Sequence, residues 1–173
     1  VLDDLVAELP RLRRADGPEL SGAVARRMQA AIRPFTDIFI TPMAAVAGAV
    51  ADEILAAILS AGDIERAHVN NGGDVAFHLG PGRSMHSLIA TAPPGRITIR
   101  HGDPVRGIAT SGWRGRSQSM GLADSVTVLA ATAAAADAAA TLIANAVDLP
   151  GHPAVTREPA CQAHPDSDLG DRL

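Results

Sequence analysis

The sequence predicts an α+β arrangement in which antiparallel sheets pack against Ala-rich helices, and three observations carry that expectation. Apolar residues recur at helical spacing near the start of the chain. Short alternating apolar runs, separated by Gly and Pro, fill the middle. An Ala-rich stretch preceded by a capping threonine follows them.

Taken in order, Leu2 to Arg14 has helical spacing through Leu2, Leu5, Val6 and Leu12, interrupted by Pro10, and Pro18 to Ile32 repeats it through Leu20, Val24 and Met28. The next helix is expected from Thr41 to Ser60, with Thr41 as N-cap, Pro42 at the first helical position and Gly62 just past its end. Its Ala44, Ala45, Ala47, Gly48, Ala49 and Ala51 leave little bulk on one side, so another backbone or a ligand can lie directly against it. The runs Arg66 to Asn70, Val75 to Leu79, Ser87 to Thr91, Ile97 to Arg100 and Gly107 to Thr110 read as strands of an antiparallel meander. Asp124 to Ala131 reads as one more strand. Thr132 then caps a helix from Ala133 to Val147. Residues 1–150 are expected to form one domain, and the Pro- and Asp-rich residues 151–173 an irregular tail.

Composition narrows the function. All 15 basic side chains are Arg, so lysine-based Schiff-base, P-loop and general-base chemistry is excluded for this chain's own side chains. The net charge of −4, with scattered arginines, leaves no electrostatic footprint for nucleic acid. Cys161 stands alone and can make neither an internal disulfide nor a cysteine-rich metal site, which fits a reducing, cytoplasmic setting. The apolar stretches Ile38 to Ala61 and Leu122 to Val147 carry Asp52 and Glu53, and Asp124 and Asp137, all costly at a bilayer centre, so no membrane span is expected. The chain opens at Val1 without an initiator Met, which leaves room for an upstream segment. The six histidines show no ligand spacing that would hold zinc.

Three constellations can carry chemistry. In Val69-Asn70-Asn71-Gly72-Gly73-Asp74, two glycines expose backbone N–H groups while Asn71 and Asp74 supply polar side chains. Such a corner either cradles a phosphate or a sugar hydroxyl, or is simply a hairpin turn. In Gly107 to Gly112, a strand runs into Thr110, Ser111 and Gly112, whose hydroxyls and amides suit phosphate or carbonyl oxygens. Ser111 as a nucleophile is the sharper alternative there, although Gly-x-Ser-x-Gly is absent. Trp113 beside it suits either ring stacking or packing. In Ala136 to Thr141, Asp137 and Thr141 are four residues apart and share one helical face, so both can reach one hard cation such as Mg²⁺. A paired Asp at a helix interface is the plainer account of the same spacing.

The order of these motifs resembles the ApbE-like superfamily of FAD:protein FMN transferases over about the last two thirds of the chain. The order runs Val69 to Asp74, Ala109 to Gly112, Ser125 to Val128 and Ala136-Asp137 to Thr141, and the specific parts are Pro42-Met43-Ala44-Ala45-Val46-Ala47-Gly48, the Asn-Asn-Gly-Gly-Asp run and Pro165-Asp166-Ser167-Asp168-Leu169-Gly170. The likeness is greatest to the short, functionally uncharacterised branch labelled thiamine-biosynthesis ApbE-like. The resemblance implies intertwined sheets and helices, a flavin-nucleotide site for FAD or FMN, and Mg²⁺ on Asp137 and Thr141. It places Asn71, Gly72, Gly73, Asp74, Thr110, Ser111, Gly112, Gln118 and Ser119 at the nucleotide, and implies transfer of FMN from FAD to a Thr or Ser of an acceptor protein. Two departures stand out: Ala47 where transferases carry Lys, and Ser117-Gln118-Ser119-Met120-Gly121 where they carry a His-Ile-Ile-Asp-Pro-like run. Fold is therefore carried over further than chemistry. The rival expectations are a metal-independent hydrolase or lyase using Ser111, Asp74 or Asp124, and a non-catalytic binding protein whose low-bulk helices form a homo-oligomer.

Overall fold

Residues without bulk set how the layers of this molecule meet. In the computed structural model, which describes residues 2–89, 94–115, 119–163, 165 and 167–173, the chain runs α1 (Leu2–Leu12), α2 (Ala23–Ile32), a 3₁₀ turn (Pro42–Ala45) continuing into α3 (Val46–Ser60), six strands, α4 (Ala133–Ala146) and a short α5 (Ala160–Ala163). The strands are β1 (Arg66–Asn71), β2 (Asp74–Leu79), β3 (Ser84–Ile89), β4 (Gly95–Arg100), β5 (Gly107–Ser111) and β6 (Val126–Ala130). The fold is α+β.

The expected meander does not form. β5 pairs with β2, giving a four-stranded antiparallel sheet of order β1-β2-β5-β6, while β3 and β4 make a separate hairpin. Gly107 accounts for this. A Cβ there would sit 2.2 Å from the Ala133 nitrogen, so the start of β5 is pressed against the start of α4 and paired with Ala76 of β2. Alternation along β2 then serves two layers. Ala76 packs with Ala51, Leu55 and Ala133 of the helices, whereas Phe77 and Leu79 pack with Ile99 of the β3–β4 hairpin. β3 also begins at Ser84 rather than Ser87, and Thr91 lies outside the described residues.

Two helix starts differ from expectation, and a third helix tolerates an internal proline. Thr41 is extended (φ −103°, ψ 158°) and its hydroxyl bonds Asp168 instead of capping, so Pro42 opens a 3₁₀ turn and the α-helix begins at Val46. α2 begins at Ala23, not Pro18, because Glu8 of α1 accepts the Ser21 and Gly22 N–H groups at 2.7 and 2.9 Å and fixes the chain there. Those backbone bonds hold the Glu8 carboxyl below the ordinary carboxylate range. α1 runs through Pro10, whose missing N–H faces the exposed Val6 turn, where water can serve the carbonyl. Thr132 caps α4 as expected, accepting from the Ala135 N–H at 3.1 Å.

α3 and α4 meet without side chains between them: a Cβ on Gly48 would lie 2.3 Å from the Ala133 carbonyl oxygen. Across this contact Asp52 of α3 accepts the Ala133 and Ala134 N–H groups at 3.0 and 2.9 Å, acting as a second cap for α4. Leu12, Val24, Met28, Ala49, Ala138 and Leu142 form the largest apolar cluster among the four long helices. The helical run Pro42–Ser60 is long and apolar enough to cross a membrane by length and composition, with mean hydropathy 1.7. Here it packs on α4 and the sheet, with Asp52 bonded to α4 and Glu53 paired with Arg27 at 2.8 Å.

Candidate functional site

The β1–β2 hairpin, the end of β5 and the middle of α4 converge on a cavity of about 600 Å³, a size typical of small-molecule sites. The Asn70 to Asp74 corner is a hairpin turn that also borders the cavity. Gly72 and Gly73 take φ of 70° and 116°, as a primed two-residue turn requires, and the turn brings Asn71 and Asp74 opposite each other. Asn71 donates its side-chain amide to the Ala47 carbonyl at 3.0 Å, tying the hairpin to α3.

At the floor lie two carboxyl groups. Asp74 and Asp137, only 8% and 9% exposed, hydrogen-bond to each other. The Thr110 N–H donates to Asp74 at 3.3 Å and the Gly48 N–H to Asp137 at 3.1 Å. Burial, then the charge of Asp74, pushes Asp137 up to about 8; burial also raises Asp74. One proton is therefore shared by the pair near neutral pH, or a cation takes its place. Thr141, Asn145 and Thr110 supply further oxygens to the wall, and no cationic side chain lines it among the described residues. All donors toward the pair are oxygens or backbone amides.

The fit to a known family is complete in extent. The model of the family described as AbpE bacteria matches residues 1–173. The chain belongs to that family. Among relatives of this AbpE-family chain, a UPF0280 protein of Methanopyrus kandleri is 41% identical over 151 residues, covering 83% of this chain and 59% of the relative. A UPF0280 protein of Methanococcoides burtonii is 36% identical over 149 residues, covering 82% and 57%. One from Archaeoglobus fulgidus is 38% identical over 109 residues, covering 61% and 44%. The chain thus spans well under two thirds of the length of these relatives. At the level of family, this agrees with the ApbE-like resemblance.

Within the AbpE-family chain, Asn71, Gly72, Asp74, Thr110, Asp137 and Thr141 border one cavity, whereas Gly73, Ser111, Gly112 and Ser119 are not among its lining residues. Strand alternation separates the two hydroxyls of β5: Thr110 faces outward to the cavity and Thr127 (2.9 Å), while Ser111 faces the other way and is 3% exposed. Gly112 serves packing, since a Cβ there would meet the Asp124 carbonyl oxygen at 2.3 Å. Ser119 donates to Asn145 at 3.0 Å, which also takes the Met120 N–H at 2.9 Å and so fixes the loop that puts Met120 on the wall. Gln118 lies outside the described residues. Asp124 is turned to the surface, bonded to the Trp113 indole at 2.9 Å and to Arg114 at 3.0 Å. No group of three His, Cys, Asp or Glu side chains able to hold a metal occurs among the described residues.

Several lining residues had no assigned role in the sequence. Asn145 extends the Asp137, Thr141 series by another four residues, a signal that helical spacing carries. Phe39, Thr41 and Asp168 join the wall through a contact spanning 127 positions, which no local pattern announces.

Proposed function

We propose that this cavity binds a flavin nucleotide, FAD or FMN, with its phosphates reached through Mg²⁺ held by Asp137, Asp74 and Thr141. The observation that carries the reading is the buried Asp74–Asp137 pair in a cavity whose described lining contains no Arg or His. A bare phosphate facing two carboxyl groups would be repelled, so an anionic ligand needs a cation between them. The donor set fits a hard ion: oxygen ligands only, too few to complete a shell, with space for water or ligand oxygens. Bound there, Mg²⁺ would neutralise charge on a phosphoryl group.

On this reading the chain's own residues position the ligand. Asn71 and Thr110 offer hydrogen bonds at the hairpin end, and Asn145 holds the Met120 loop against the opposite wall. The finer step, as in the transferases that the sequence resembles, is attack by a Thr or Ser hydroxyl of an acceptor protein on the FMN phosphate of FAD, with AMP leaving. The proton of that hydroxyl would go to the Asp74–Asp137 pair or to solvent.

Titration of purified protein with FAD and FMN, each with and without Mg²⁺ and repeated on Asp137→Ala, tests the site. Binding that needs Mg²⁺ and fails in the variant is expected. Absence of binding at millimolar flavin with Mg²⁺ would overturn the reading. A second reading, metal-independent acid–base chemistry on a small molecule, draws on the shared proton of the same pair. Ligand turnover that persists in a chelator and fails in Asp74→Asn would select it.

A further inference from the structure

The wall of the cavity opposite the hairpin is made by the segment after α5, where Ser167, Asp168 and Leu169 line it. This wall is held differently from every other part of the site. The Thr41 hydroxyl, on a residue 3% exposed, donates to Asp168. The Arg172 guanidinium sits 3.3 Å from the centroid of the Phe39 ring, which itself lines the cavity. The segment folds back on α5, with the Ala160 N–H on the Arg172 carbonyl at 2.9 Å and the Cys161 N–H on the Gly170 carbonyl at 2.8 Å. Beyond Ala144 no described residue is buried, and none belongs to an apolar cluster of the core. Asp137 and Thr141, in contrast, stand on a helix that carries eight buried residues.

We propose that residues Ser167–Leu173 are a detachable strap over the cavity, opening by local unfolding to admit the ligand and presenting Asp168 to it when closed. An element held to the α2–α3 side of the cavity by the Thr41–Asp168 hydrogen bond and the Arg172–Phe39 contact, and to α5 by two backbone bonds and the Cys161 thiol on Asp171 at 3.2 Å, with no buried apolar side chain among the described residues, opens at far lower cost than the global unfolding that would free α4. Its closure also sets ligand chemistry. Asp168 adds a third carboxylate to a lining in which no described residue carries a cationic side chain, so the part of the ligand beneath the strap is one that donates hydrogen bonds, a hydroxyl or ammonium group, and not a phosphate. This assignment of ligand chemistry rests on the cavity being a ligand site; the strap's detachment does not.

Native-state hydrogen exchange on the full chain, read by mass spectrometry, tests it. The amides of Ala160, Cys161 and the Ser167–Leu173 segment are expected to exchange at least ~100-fold faster than those of α4 in the ligand-free protein. Thr41→Val and, separately, Arg172→Ala should speed exchange of that segment about tenfold, leaving α4 unchanged. Protection equal to that of α4, or equal acceleration of strap and α4 in both variants, overturns the proposal. FMN with Mg²⁺ is then added as probe: slowed strap exchange in the wild type, and a dissociation rate raised about tenfold by Thr41→Val, are expected. Flavin bound with no change in strap exchange sinks the role of closure. If no flavin binds, the flavin reading fails while the ligand-free exchange result still decides whether the strap detaches.

Discussion

Replacing Asp137 by Asn should remove a loss of stability that the wild type shows as pH rises. The native Asp137 carboxyl is raised from 3.8 to about 8, whereas the unfolded chain returns it to about 3.9. Between those values the native state binds a proton that the unfolded state does not, so stability falls as pH rises, by about 1.4 kcal/mol per unit at full slope. From pH 5.5 to 7.5 the wild type should therefore lose about 3 kcal/mol. Asn keeps the size of the side chain, still accepts the Gly48 N–H, and donates to Asp74 without a titrating proton. The wild-type stability minus that of the variant, a difference in which the other titrating groups cancel, should therefore fall by about 3 kcal/mol over that window. Urea unfolding in chelator at the two pH values, with the slope on denaturant constant, measures both numbers. Wild-type stability that is flat or rising over this range, or a variant that shares the wild-type slope, would refute the account of the pair.

Three further outcomes follow from the packing. Asp52→Ala removes the acceptor for two N–H groups at the start of α4; thermal unfolding should show a loss of about 2–4 kcal/mol, or roughly 5–15 °C. Gly48→Ala puts a methyl into the Ala133 backbone and should cost more than about 4 kcal/mol or prevent folding, while Gly62→Ala, with open space around its position, should stay within about 1 kcal/mol of wild type in the same melt. Asn145→Ala frees Ser119 and Met120; proteolytic cleavage near residue 119 should speed up about tenfold with little change in melting temperature.

What the sequence carried was mainly local. The Asp137, Thr141 spacing put two oxygens on one face of α4, and the Asn-Gly-Gly-Asp run marked both a turn and a polar corner, and the structure makes it both at once. Thr132 as a cap and the glycine and alanine seam of α3 were legible for the same reason: each depends on neighbours within one turn. Pairings over long separations were not. Nothing in β4 or β5 announces that β5 joins β2, because the deciding contact is the fit of Gly107 under Ala133. Likewise Asp74 and Asp137 stand 63 positions apart in the sequence, and only the crossing of the hairpin with α4 turns them into one titrating unit. Thr41 was a plausible cap by residue type, yet its hydroxyl is committed to Asp168. Ser111 and Thr110 are adjacent hydroxyls in the sequence, and strand alternation sends them to opposite faces, with Ser111, the candidate nucleophile, turned away from the cavity.

The two carboxylates that cross the α3–α4 seam, Asp52 and Asp137, are both anchored on main-chain N–H groups of the other helix. A side-chain partner can be lost by any point substitution, whereas a backbone amide survives every replacement except proline. The residues that supply these amides are Gly48, Ala133 and Ala134, constrained by size and not by functional group. Descendants of this chain can therefore exchange the polar residues around the cavity, and with them the chemistry, while Asp137 stays aimed into the cavity and Asp52 keeps α4 in place. A lineage can lose one reaction and acquire another here without first rebuilding the scaffold.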